Sequence, residues 1–188
     1  MPLLDRVKER TGTDLSDAEL QAMIDAIAAE LDARLGPTGP LTLELGDPTD
    51  PQSRNRRTLR LDRPADITQE MTIVEFDPSN SGDASSQVGL TVADYRVLHG
   101  GRTLQRMLGG PNGRTFWAPL VRVTYTPIVN QAARDEATIK LIQLDLSYRG
   151  GLKSERAGDY QFTLSGDPQV DRENIFASIE PRGGMVMA

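Results

Sequence analysis

SERAGDYQFTL, residues Ser154 to Leu164, lies between two different kinds of sequence near the end of this chain. Gly158-Asp159 is a turn-forming pair, and Tyr160, Phe162 and Leu164 alternate directly after it. Side chains at period 2 share one face of an extended segment. Gly150-Gly151 stands just before the stretch, and a long apolar run with helical spacing stands before that. The local reading is a helix, a chain break, then a short strand or extended segment.

The long run upstream starts near Gln131. Ala133, Ala137, Leu141, Leu144 and Tyr148 share one helical face, and Ile139, Ile142 and Leu146 widen it. So broad an apolar face implies burial on more than one side. Downstream, a short helix is expected from Pro168 to about Ile179. Asp167 caps it, Pro168 suits its first turn, and Val170, Ile175, Phe176 and Ile179 supply its apolar face. The clearest helix lies far upstream, from about Asp17 to Leu35. Ser16 and Glu19 have the spacing of a capping box, and Leu15 and Leu20 that of a hydrophobic staple. Leu20, Met23, Ile24, Ile27, Leu31 and Leu35 form its stripe, and Gly36-Pro37 ends it, with a left-handed cap expected at Gly36. A shorter helix through Leu3, Leu4 and Val7 precedes it and ends at Gly12.

Between the helices the pattern changes to alternation and turns. Strands are expected at 41–45, 58–61, 72–76 and 121–125, and at 95–98 and 103–106 around the hairpin turn His99-Gly100-Gly101-Arg102. This is a small antiparallel lobe of five or six strands. Its long polar connections, Gly46 to Asn55 and Asp77 to Gln87, read as mobile loops. The fold class is therefore α+β: a small helical bundle of two long helices plus short terminal helices, with an inserted antiparallel β lobe. The expected domains are residues 1–37 with 128–188, and the lobe, 38–127.

Composition narrows the function. Hydrophobic residues make up 38% and charged residues 26%, as in a globular protein. A formal charge of -6 does not ask for a nucleic-acid-binding surface, which is normally basic. There is no cysteine, hence no disulfide, thiol nucleophile or thiolate metal site. Met1-Pro2-Leu3-Leu4 lacks the basic region and apolar core of a signal peptide, and no run approaches the roughly 18 apolar residues of a membrane span. The expectation is a soluble, cytoplasmic setting.

Chemical motifs are weak. His99 is the only histidine and sits in a glycine-flanked turn, where a solvated side chain is the ordinary outcome. Residues 77–83, DPSNSGD, have the glycine of a calcium loop at the sixth position, but Val88 stands where the bidentate glutamate belongs. Residues 109–115 lack the spacing and lysine of a phosphate loop and read as a turn. Arg54, Arg56, Arg57 and Arg60 form the dense basic patch, read either as a solvated strand edge or as a contact for an acidic partner. Trp117 with Phe116 reads as core. No catalytic, cofactor-binding or metal-binding residue is expected, and no cofactor.

The order of these pieces resembles the head–tail connector (adaptor, or head-completion) proteins of long-tailed double-stranded DNA phages. The segments are LSDAELQAMIDAIAAELDARLG, RRTLRLDRPA, DYRVLHGGRTLQRM, VRVTYTP, ARDEATIKLIQLDLSYRGG, SERAGDYQF and RENIFASIEP. The motif residues are Ser154, Glu155, Gly158, Asp159 and Tyr160. The resemblance implies a structural virion subunit, not an enzyme. It would form a homo-oligomeric ring, usually a dodecamer, docked under the portal protein and extending the DNA exit channel. The next partner would be a head-closure (stopper) or tail-terminator protein. Genomic DNA would pass the lumen without specific binding, and no membrane would be involved. The implied location is the virion, after assembly in the host cytoplasm. The family's C-terminal tail commonly reaches into the portal, which points to Arg182, Gly183, Gly184, Met185, Val186, Met187 and Ala188. The alternative class is a non-enzymatic module in which the β lobe, carried on a helical hairpin, binds protein or carbohydrate.

Overall fold

The computed structural model describes residues 1–83, 85–149, 154–157, 160–163 and 167–179. It is a mixed α+β fold of helices and a β lobe. Two compact units are present: residues 1–36 with 130–188, and residues 37–129.

The first unit is built on α1 (Leu3–Thr11), α2 (Asp17–Leu35), α3 (Gln131–Arg149) and α4 (Pro168–Ile179). The capping box starts α2: Ser16 Oγ accepts the Glu19 N–H at 3.3 Å, and Glu19 Oε2 accepts the Ser16 N–H at 3.0 Å. Leu20, Ile24, Ile27 and Leu31 then face a core shared with Val7 of α1, Ile139, Leu141, Ile142 and Leu144 of α3, and Ile175 and Phe176 of α4. Helix α3 is buried on several sides, as its wide apolar face requires.

Arginine–carboxylate pairs join these helices. Arg6 bonds Asp135 at 2.9 Å, Arg10 bonds Glu136 at 2.6 Å, and Arg134 bonds Asp32 at 2.6 Å. Arg34 grips Glu173 with two bonds, 2.9 and 2.7 Å, and lies 3.9 Å from the Phe176 ring centroid.

Two local expectations are corrected here. Gly36 has φ 79 and ψ 162, an extended positive-φ conformation rather than the left-handed helical cap. Its carbonyl instead receives Arg134 Nη2 at 2.5 Å. In α4, Val170 is 47% exposed and Asp171 takes the inward position. The Tyr148 hydroxyl donates to Asp171 Oδ2 at 3.0 Å, which offsets the cost of burying the carboxylate.

The second unit holds, among its described residues, seven strands in two antiparallel sheets. The first sheet, in the order β1-β7-β3-β4, uses β1 (Leu41–Leu45), β3 (Thr72–Phe76), β4 (Gln87–Leu90) and β7 (Leu120–Tyr125). The second, β2-β6-β5, uses β2 (Thr58–Arg60), β5 (Tyr95–Leu98) and β6 (Thr103–Arg106). Ile73, Val121, Val123 and Tyr125 from the first sheet and Leu59, Leu104 and Tyr95 from the second close one core around Trp117.

Strand β4 is not among the strands expected from the sequence, and Gly89 interrupts its alternation. It pairs with β3 in the register Ile73↔Leu90 to Phe76↔Gln87. The connection from Gly46 to Asn55 is not open loop either. Pro51–Asn55 is a 3-10 helix capped by Asp50, with Ser53 buried.

Candidate functional site

The motif segment forms a hairpin between α3 and α4. Strands β8 (Ser154–Ala157) and β9 (Tyr160–Thr163) pair antiparallel, from Ser154↔Thr163 to Ala157↔Tyr160. The extended reading after the Gly-Asp pair holds, and a second strand precedes the pair as well. Gly158, Asp159 and the tail Arg182, Gly183, Gly184, Met185, Val186, Met187 and Ala188 lie outside the described residues. Downstream, Asp167 Oδ1 accepts the Gln169 N–H at 2.9 Å at the start of α4.

The densest polar chemistry lies inside the β lobe. Glu75 on β3 and Arg106 on β6 meet between the two sheets, with side chains 1% and 0% exposed. Arg106 Nε and Nη2 donate to the two Glu75 oxygens at 3.1 and 3.2 Å, and Glu75 Oε1 also accepts the Ala118 N–H at 3.1 Å. The other faces of the guanidinium donate to the carbonyls of Asp94 and Asn112, both at 2.6 Å. The Trp117 ring centroid lies 5.7 Å from this guanidinium.

Asp94 completes the network. Burial pushes its carboxyl up, but N–H donors from Thr91 and Asn112, the Asn112 amide and the Thr91 hydroxyl outweigh burial and hold it at about 2. Every buried polar side-chain atom among the described residues has a partner. The arrangement ties the loop at 107–114 to both sheets and leaves no free group to act as acid, base or nucleophile there.

Sequence reasoning missed this network, although a signal existed. Glu75 has the same parity as Ile73, and Arg106 the same parity as Leu104, so both charges fall on inward faces. Opposite charges on the inward parity of two strands point to a buried pair.

The other singled-out residues take ordinary positions. His99 is exposed in its turn with φ 54. The Asp77 carboxylate accepts the N–H groups of Ser81 at 2.8 Å and Gly82 at 2.7 Å. The Ser81 backbone bond leads in holding that carboxyl below its usual range. Val88 lies in β4. No cluster of three or more metal-ligating side chains is found among the described residues. No described helix is long and apolar enough to cross a membrane.

Of the four arginines of the basic patch, Arg54, Arg57 and Arg60 are exposed, and only Arg56 is drawn inward. Arg56 is half-buried and donates to the carbonyls of Leu45 and Pro119, at 3.3 and 3.4 Å. Arg57 lies 5.5 Å from the Phe116 ring centroid, and Phe116 is 38% exposed. Trp117 is core, as expected, with Nε1 donating to the Arg57 carbonyl at 3.1 Å.

No protein-family model matches the chain, and no curated protein matches it. Among solved structures, a chain from the neck of an empty GTA particle, computed with C6 symmetry, is similar. The identity is 14% and the TM-score 0.48, over 93% of this chain and 88% of that one.

Proposed function

We propose that this chain is a structural subunit of a phage-type virion neck, a head–tail adaptor. It forms a closed homo-oligomeric ring, of dodecameric size in the family it resembles, under the portal. The ring extends the DNA exit channel and offers a docking surface to a head-closure or tail-terminator protein. DNA passes through without specific binding, and the subunit performs no catalysis. Residues Arg182 to Ala188 dock the ring to the portal.

One observation carries the reading: the order of pieces along the chain, ending in SERAGDYQF. A capped helix, a β lobe, a long helix, a strand pair at the motif and a short final helix follow one another along this chain. The polar cluster around Arg106 is buried and, among the described residues, fully bonded, which supports a structural role for it.

The test is removal of the chain from an assembling particle. DNA-filled heads without tails, rescued by supplying the protein, are the expected outcome. Tailed infectious particles in its absence would end the proposal.

A further inference from the structure

The two units treat their arginines differently. In the helical unit, Arg6, Arg10, Arg34, Arg134 and Arg172 each hold a carboxylate. The β unit, residues 37–129, has ten arginines, no lysine and ten acidic residues. Its carboxylates are mostly spent within their own turns or, like Glu75 and Glu44, on Arg106 and Arg122. Asp62 and Glu70 are exposed, and neither forms an ion pair among the described residues. Arg60, Arg96 and Arg102 are exposed too, and none of them forms an ion pair among the described residues.

Register places two of these on one surface. Thr58, Gln105 and Arg96 form one cross-strand row, and Arg60, Thr103 and Leu98 the next but one. Leu59 and Leu104, in the row between, point into the core. Arg60 and Arg96 therefore stand on the outer face of the three-stranded sheet, at its two edges. Two strand spacings and a two-residue offset separate their Cα atoms by about 12 Å. Arg102 adds a third charge at the turn leading into β6. Planar, weakly hydrated guanidinium groups on a rigid sheet suit carboxylates at a protein interface.

The complementary surface lies in the same sequence. The formal charge of -6 falls wholly on the helical unit, where seventeen acidic residues face eleven basic ones. On α1, Arg6 and Arg10 turn towards α3, whereas Asp5 and Glu9 are exposed and outside any described ion pair. These two are four residues apart, hence about 6 Å along one helix face. Asp14 follows, exposed and likewise unpaired.

We propose that the arginine face of the three-stranded sheet docks on the Asp5–Glu9 face of α1 in a second copy of this chain. The contact is heterologous, so its repetition builds a ring or an open filament. The choice of a second copy rests on the ring reading above. Duplex DNA fits this face less well, because it carries a charge about every 1.7 Å of axis against two arginines in about 12 Å.

The test is light scattering of the full chain between about 20 and about 500 mM salt. A chain of charge -6 repels itself more at low salt, because screening weakens; complementary patches reverse that sign. The wild type is expected to attract itself at low salt. Arg60→Glu/Arg96→Glu and Asp5→Arg/Glu9→Arg should each weaken self-association by about tenfold or more, and the combined four-residue variant should restore it. All four side chains are exposed and form no ion pair among the described residues, so circular dichroism should report unchanged folds.

Low-salt repulsion in the wild type, an effect from only one of the pairs, or no restoration would each overturn the proposal. Binding of a short duplex DNA that is lost in Arg60→Glu/Arg96→Glu would overturn it in favour of a nucleic-acid surface. Particles carrying normal neck rings of Arg60→Glu/Arg96→Glu would sink this interface and leave the adaptor reading standing. Particles with no copy of the chain at the neck would sink the adaptor reading, whatever the scattering shows.

Discussion

Arg106→Met should unfold the β lobe under conditions that the wild type survives. The guanidinium is 0% exposed and occupies five acceptor contacts, including both oxygens of a Glu75 that is 1% exposed. Methionine fills much of the volume but leaves Glu75 with only the Ala118 N–H. Deleting one member of a buried pair costs about 3–5 kcal/mol, and each orphaned carbonyl at Asp94 and Asn112 adds to it. With a urea slope of about 1 kcal/mol/M for a unit of this size, the midpoint should fall by about 3 M or more. Trp117 is the only tryptophan and lies in the same core, so its fluorescence reports this unit. The double variant Glu75→Met/Arg106→Met removes both charges and should recover part of the loss. A midpoint shift below about 0.5 M for Arg106→Met would refute the argument that this pair holds the two sheets together.

The remaining expectations are briefer. Asp94 titrates below its ordinary 3.8, at about 2, so its contribution is complete above pH 4 and is lost as pH falls towards 2. Asp94→Asn should therefore lower the urea midpoint at pH 7, and the gap to the wild type should close near pH 2. Gly101→Ala should destabilise the lobe far more than Gly100→Ala in thermal unfolding. Both have positive φ, but a Cβ at Gly101 would meet the Ala65 carbonyl oxygen at 2.3 Å, whereas nothing lies within 4 Å at Gly100. Ser16→Ala removes the cap of α2 and should cost about 1 kcal/mol by urea denaturation, without altering the lobe's fluorescence transition. Truncation after Pro181 should leave thermal stability near the wild-type value and yield heads that are tailless or leak DNA. Normal particles from the truncated protein would remove the tail from the docking account.

Much of this fold could be read in the sequence because its strongest signals are local. Ser16 and Glu19 mark the start of α2 with a reciprocal pair of hydrogen bonds that needs no distant partner. The span of α3 follows from an apolar face that is continuous over its whole length. What stayed hidden depends on contacts distant in sequence. Strand β4 carries Gly89 at its centre and exists because β3 supplies its hydrogen-bond partners. Asp171 is inward and Val170 outward because the Tyr148 hydroxyl, on another helix, satisfies the carboxylate. Arg56 sits in a charge-dense stretch, yet it is held by the carbonyls of Leu45 and Pro119, which no local pattern announces. The Glu75–Arg106 pair was accessible through strand parity, but only once both strands and the sheets facing each other were known.

The central claim is that many copies of this chain form a closed ring at the neck of a virion. Electron microscopy of purified particles at the portal vertex tests it most directly. The account predicts continuous ring density beneath the portal into which this fold fits in every subunit, with the chain from Arg182 onward reaching into the portal. Neck density with no place for this fold, or a single copy per particle, would contradict it.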